Sequence, residues 1–205
     1  MTVPLVIACG ALASELRAVL RAQSLADAVE VTYLPANLHN RPERIVPELE
    51  PLLDEAAAQG RSVFIGYADC GTGGALDALL ERHPEATRLP GDHCYEFFSG
   101  SDVFAAMHEE ELGTFFLTDF LAKHFDALLW QGLGLDRHPE LLDMYFGNYK
   151  RVVLISQTDD QSVIDKARAA AQRLRLEFEH RHVGLGPFTT AVTDAVSISL
   201  SKRVA

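Results

Sequence analysis

No run in the sequence approaches the roughly 18 consecutive apolar residues of a membrane span, and no basic segment precedes an apolar one at its start, as in a secretion signal. A cytoplasmic protein with no membrane partner is the expectation. Basic residues are scarce too: 18 Lys and Arg stand against 29 Asp and Glu, for a formal charge of -11. Phosphate backbones are bound by clustered cations, so the expectation excludes nucleic acid as a main partner. Cysteine is rarer still, with 3 in 205 residues. Three thiols cannot all pair within one chain, and without an export signal they are expected to be reduced. There is no C-x-x-C pair, no G-x-S-x-G elbow of a serine hydrolase, and no lysine in the glycine turn that would make it a P-loop.

What is present is enough apolar material, 48% of the residues, to bury a core as a single α/β domain over residues 1–205. Strand patterns at Val3 to Ala8, Val29 to Leu34, Val63 to Gly66, Arg151 to Ser156 and Leu176 to Val183 alternate with helical spacing. The helices are read at Ala11 to Gln23, up to Ala58, up to Leu80, Asp159 to Leu174 and about 188–201. Alternation of this kind implies a parallel, doubly wound sheet. Residues 97–149 read as a helical insertion over the strand carboxyl ends, with Ser101 as N-cap of a helix over Asp102 to Leu112 and a further helix over Ala122 to Trp130. Within it, Gly113 to Phe120 mixes strand and helix character.

The chain is organised around Tyr67-Ala68-Asp69-Cys70-Gly71-Thr72-Gly73-Gly74, a tight turn between a strand and a helix. Open α/β sheets bind ligands at such turns. Cys9 ends the first strand, and Cys94 follows the short segment Ala86 to Leu89 and the turn Pro90-Gly91-Asp92. The expectation is that Cys9, Cys70 and Cys94 converge on one site, holding zinc or three corners of an iron-sulfur cluster. Three small buried hydrophobes are the competing reading. His39 and His93 are candidates to complete a metal shell. Asp69 and Glu96 are the candidate catalytic carboxylates, with Asp92 nearby, although a carboxylate in a first helical turn also suits the helix dipole. Gly71, Gly73 and Gly74 form a candidate cradle for an anionic cofactor group, or simply a tight turn. His180 and His182 alternate along one strand and share a face, which fits a solvated surface better than a metal pair. Thr114, Thr118 and Asp119 are further polar residues of the insertion, as ready to cap helices as to face a site.

Cys9-Gly10 with Glu15, Leu34-Pro35 with Leu38-His39-Asn40, Gly66-Tyr67 with Cys70-Gly71, His93-Cys94, and Gly113-Thr114 with Leu117-Thr118 stand in a fixed order. Together they resemble the prokaryotic domain-of-unknown-function family numbered 1638, over roughly Val3 to Thr158. The resemblance implies that all three cysteines belong to the family pattern, and it implies a setting near corrinoid-dependent methyltransferases. It brings no settled reaction. The expectation is therefore a metal-binding α/β protein that acts on a small-molecule substrate, in thiol or methyl transfer of one-carbon metabolism. An iron-sulfur protein, or a non-catalytic accessory protein for a small molecule or corrinoid, is the alternative.

Overall fold

The computed structural model describes residues 2–201, which form two compact units, the first of residues 2–97 and 187–201 and the second of residues 98–186. Both are parallel α/β units.

In the first unit, β1 (Leu5–Cys9) is followed by a 3-10 turn and α1 (Ala13–Ala22), then β2 (Glu30–Leu34) and α2 (Ile45–Ala58). Next come β3 (Val63–Gly66), α3 (Ala75–Leu80), β4 (Ala86–Arg88) and α4 (Tyr95–Ser99), which crosses into the second unit. The sheet order is β2-β1-β3-β4, and every pairing is parallel. The central strands β1 and β3 are buried at every residue, as expected of unbroken apolar runs covered on both faces. α1 buries Leu16, Val19 and Leu20, while α2 buries Ile45, Leu49, Leu53 and Ala56; each set has the three- and four-residue spacing of one helix face. α2 accepts Pro51 in its interior. A proline there removes one helix hydrogen bond, so the helix is held by this buried face.

The second unit contains α5 (Ser101–Glu110), β5 (Thr114–Thr118), α6 (Asp119–Lys123), α7 (Leu142–Phe146), β6 (Arg151–Ser156), α8 (Gln161–Leu174) and β7 (Glu177–His182). Its sheet has the order β5-β6-β7, again wholly parallel. The last helix, α9 (Gly186–Ser201), returns the chain to the first unit, where the Ser62 hydroxyl donates to the Ser199 carbonyl at 2.9 Å. Among the described residues no helix is long and apolar enough to cross a membrane.

The parallel α/β class read from the sequence is the class observed, but its strands are divided between two sheets. Residues 97–149 are not wholly helical: Thr114–Thr118 pairs with Arg151–Ile155 as β5. Phe115-Phe116-Leu117 carries no alternation that would mark it as a strand, so only the pairing settles its form. Ser101 is the first residue of α5 rather than its cap, because Gly100 makes the turn at φ +83°. The expected helix over Ala122 to Trp130 is two pieces, α6 and a wide turn at Asp126–Trp130 closed by the Gln131 amide on the Asp126 carbonyl at 2.8 Å.

Gly66 sets the spacing of the central strands in the first unit. A Cβ there would stand 2.8 Å from the Ala8 Cβ and 3.3 Å from its Cα, closer than carbon atoms pack. Gly66→Ala is expected to lower stability by roughly 1–3 kcal/mol through overpacking, read as a fall in the urea midpoint with the slope unchanged.

Candidate functional site

The chain leaves β1 for β2 on one side and returns to β3 on the other, so the order β2-β1-β3-β4 has its switch point between β1 and β3. Ligands of open α/β sheets bind outside the carboxyl ends of strands at such a point. Cys9 is the last residue of β1, Cys70 lies in the turn after β3, and Cys94 in the loop after β4. Two backbone hydrogen bonds join the latter two loops: the Asp69 amide donates to the Gly91 carbonyl at 3.1 Å and the Cys70 amide to the Asp92 carbonyl at 2.9 Å. Consequently the Cys70 and Cys94 sulfurs stand 2.9 Å apart, either thiol able to donate. All three cysteines are free.

Tyr67 joins them at the centre. Its side chain is buried, and Cys9, Cys94 and Cys70 all act on its hydroxyl electrostatically. Burial first, and then these three thiols, push the phenol pKa far up. Burial likewise pushes the Cys9 thiol up to about 11, assisted by the nearby Cys94, while the Ala11 amide and the Tyr67 hydroxyl pull it back. The Cys94 thiol is raised by its contact with Cys70 and by burial, and the amides of Ala68 and of Cys94 itself oppose the rise. Cys9 and Cys94 are thus protonated at neutral pH in the absence of a positive partner. Cys70 is held at φ +50°. The left-handed region is costly for a residue with a Cβ, by roughly 1–2 kcal/mol, and glycine would fill it without strain.

The remaining candidates fall into two groups. Asp69 and Glu96 brace the loops. The Asp69 carboxylate accepts from the Thr72 hydroxyl at 2.6 Å and from the amides of Gly73 and Gly74 at 3.0 and 2.8 Å. The glycine cradle is therefore built, with backbones at φ +83°, +62° and +85° for Gly71, Gly73 and Gly74, but the chain's own carboxylate occupies two of its amides. Glu96 accepts from the amides of Asp92 and His93 at 2.9 and 3.2 Å. His39 and His93 are brought near each other on exposed loops, where crowding of the His39 ring and then His93 lower the His39 pKa. Among the described residues no group of three or more His, Cys, Asp or Glu side chains is placed so that it could hold a metal ion as it stands.

In the second unit, Thr118 caps α6 by accepting from the Leu121 amide at 3.3 Å, and Thr114 donates to the Glu111 carbonyl at 2.6 Å. Asp119, 1% exposed, accepts from the Thr158 hydroxyl at 2.6 Å and from the amides of Thr158 and Gln157 at 3.0 and 3.2 Å. It ties the end of β5 to that of β6. His180 and His182 share a face as their alternation requires. They converge on the fully buried Ser156 hydroxyl, at 2.8 Å from His180 Nε2 and 3.2 Å from His182 Nδ1. The same His182 nitrogen lies 3.2 Å from Asp159 Oδ1. A catalytic triad needs its carboxylate on the opposite ring nitrogen, so this is a structural tie between β6 and β7.

Two residues escaped the sequence reading. Tyr67 was read as the first residue of the glycine turn and as part of the family pattern, with no place of its own among the thiols. Arg88 ends β4 and grips Asp77 through two hydrogen bonds of 2.6 and 2.9 Å while donating to the carbonyls of Leu89 and Gly91 at 2.7 and 3.1 Å. A lone arginine at a strand end carries no signal of that role.

The fold and this crevice define a parallel α/β protein with a thiol-lined site at its switch point. The chain belongs to the family described as protein of unknown function DUF1638, whose model matches residues 33–192. No curated protein and no solved structure matches the chain. Cys70, Cys94, His39 and His93 lie within the matched residues and Cys9 before them.

Asp69→Ala removes the acceptor of a hydroxyl and two amides and is expected to cost about 1–2 kcal/mol at pH 7, as loss of a helix cap does. The hydrogen bonds to Thr72 and Gly74 lead in holding the Asp69 pKa below its ordinary value. Its contribution is therefore present above about pH 4, the unfolded value, and is lost as pH falls through the lower folded value. Urea midpoints of the two proteins should accordingly differ at pH 7 and draw together only below about pH 4.

Proposed function

We propose that Cys9, Cys70 and Cys94 bind a zinc ion with one position left open, and that the protein uses it to activate a small thiol for alkyl transfer. The observation that carries this reading is the gathering of three free thiols around one buried phenol at the switch point of the first sheet. Thiolates are soft ligands that suit zinc. Tetrahedral zinc with sulfurs at about 2.3 Å sets any two of them about 3.8 Å apart. The Cys70 and Cys94 sulfurs, at 2.9 Å, need part by only about 1 Å to meet that geometry. Strain at Cys70 supports the same reading, since the turn keeps a thiol where a glycine would be more comfortable.

Bound zinc supplies Lewis acidity, which lowers the pKa of a thiol at the open position and makes it a nucleophile. The thiolate pair would form the new sulfur–carbon bond while the alkyl donor keeps the pair of the bond that breaks. The family setting given above makes methyl the group to test first, with a corrinoid methyltransferase system as its source. The same three ligands suit an iron-sulfur cluster, and one measurement separates the two.

Protein purified without air and without a metal-affinity tag should carry about one zinc per chain. Zinc added to the metal-free protein should release protons from the ligating thiols, seen as acidification of a weakly buffered solution. Cys70→Gly should fold at least as stably as the wild type and hold no stoichiometric zinc. Iron with acid-labile sulfide would replace zinc by a cluster, and folded, reduced protein without metal affinity would refute both.

A further inference from the structure

Two thiols form a disulfide readily when the backbone holds them together and an oxidant can reach them. Cys70 and Cys94 meet the first condition. Their sulfurs lie 2.9 Å apart, and a disulfide bond of about 2.05 Å asks them to close by only about 0.9 Å more. The loops that carry them are fastened to each other and from within. The amides of Asp69 and Cys70 donate to the carbonyls of Gly91 and Asp92. On one loop the Asp69 carboxylate binds Thr72, Gly73 and Gly74, and on the other Glu96 binds the amides of Asp92 and His93. Cys70 is also kept in the left-handed region, at φ +50°. So tied, the two thiols face each other without help from a third group.

Access separates this pair from the third thiol. Cys70 and Cys94 are half-buried, on loops at the edge of the sheet, whereas Cys9 is 5% exposed. Cys9 also belongs to a central strand, with β2 paired on one side of it and β3 on the other. Exchange between a thiol and a disulfide requires the attacking sulfur to touch its target. A small disulfide arriving from solvent therefore meets Cys70 or Cys94 and not Cys9.

We infer that Cys70 and Cys94 are a reversible dithiol pair that a low-molecular-weight disulfide oxidises to an intramolecular disulfide, with Cys9 left as a thiol. One of the two, as thiolate, attacks the small disulfide, forming a mixed disulfide and expelling the first small thiolate. The other, as thiolate, attacks the protein sulfur of that mixed disulfide, forming the Cys70–Cys94 bond and expelling the second. Both protein protons pass through solvent to the two expelled thiolates. Two protein thiols are thus oxidised while one small disulfide is reduced to two thiols, and excess small thiol runs the steps backward. The inference goes beyond the zinc reading and stands without it. The two states exclude each other, since sulfurs bonded together are no longer thiolate ligands.

The test uses the full chain, reduced, freed of metal with a chelator and equilibrated without air in graded mixtures of reduced and oxidised glutathione. Samples are quenched in acid, their free thiols are alkylated, and the digested protein is read by mass spectrometry. As oxidised glutathione rises, the folded protein should pass from three free thiols to one in a single step. A linked Cys70–Cys94 peptide, alkylated Cys9 and two glutathione thiols released per chain should accompany it. The same titration in concentrated urea gives the reference for a chain that does not hold the sulfurs together. Folded protein should close the pair at an oxidised-glutathione concentration at least about tenfold lower than the unfolded chain, because the fold supplies the effective concentration of one thiol beside the other. Folded protein that keeps three free thiols, that stops as a glutathione adduct or that links Cys9 would overturn the inference, as would equal midpoints in the folded and unfolded chain. Every sample is metal-free, so none of these outcomes depends on whether the site takes zinc.

Discussion

Two hydrogen bonds hold the candidate site together. The amides of Asp69 and Cys70 reach the carbonyls of Gly91 and Asp92 at 3.1 and 2.9 Å, fastening the turn after β3 to the loop after β4. Both loops lie at the carboxyl edge of a parallel sheet, where the strands themselves no longer pair them. Asp69 stiffens one loop from within by binding the glycine amides, Glu96 stiffens the other by binding its own turn, and Arg88 spans both the loop carbonyls and α3. These groups are polar residues used as scaffold.

That division of labour explains how the residues near the thiols behave. A carboxylate that already accepts a hydroxyl and two amides has little basicity left to offer a substrate proton. The thiols are different: burial and then Cys94 keep the proton on Cys9, while contact with Cys70 and burial keep it on Cys94. The zinc proposed above would answer that burden by holding the thiols as thiolates.

Much of the fold was legible because its strands are apolar runs flanked by glycine and proline. β6 has the bounds its sequence pattern suggested, and the glycine turn after β3 stands where the helix signal begins. β5 was not legible, since Phe115-Phe116-Leu117 is apolar in the manner of either a strand or a buried helix, and the division into two sheets depends on what it pairs with. At the site, the convergence of Cys9, Cys70 and Cys94 followed from their common position past strand ends. The positive φ of Cys70 left no mark in the sequence, because cysteine does not advertise that conformation as glycine does. Equally hidden was the reach of His180 and His182 toward Ser156: alternation assigns two residues to one face of a strand but says nothing of a neighbouring strand's hydroxyl.

The central claim is that three sulfurs from three strand ends share one metal ion. X-ray absorption at the zinc edge, on protein purified without air, counts those sulfurs directly. The account predicts about three sulfur neighbours at about 2.3 Å with one lighter atom beside them. A shell of nitrogen and oxygen alone would contradict it.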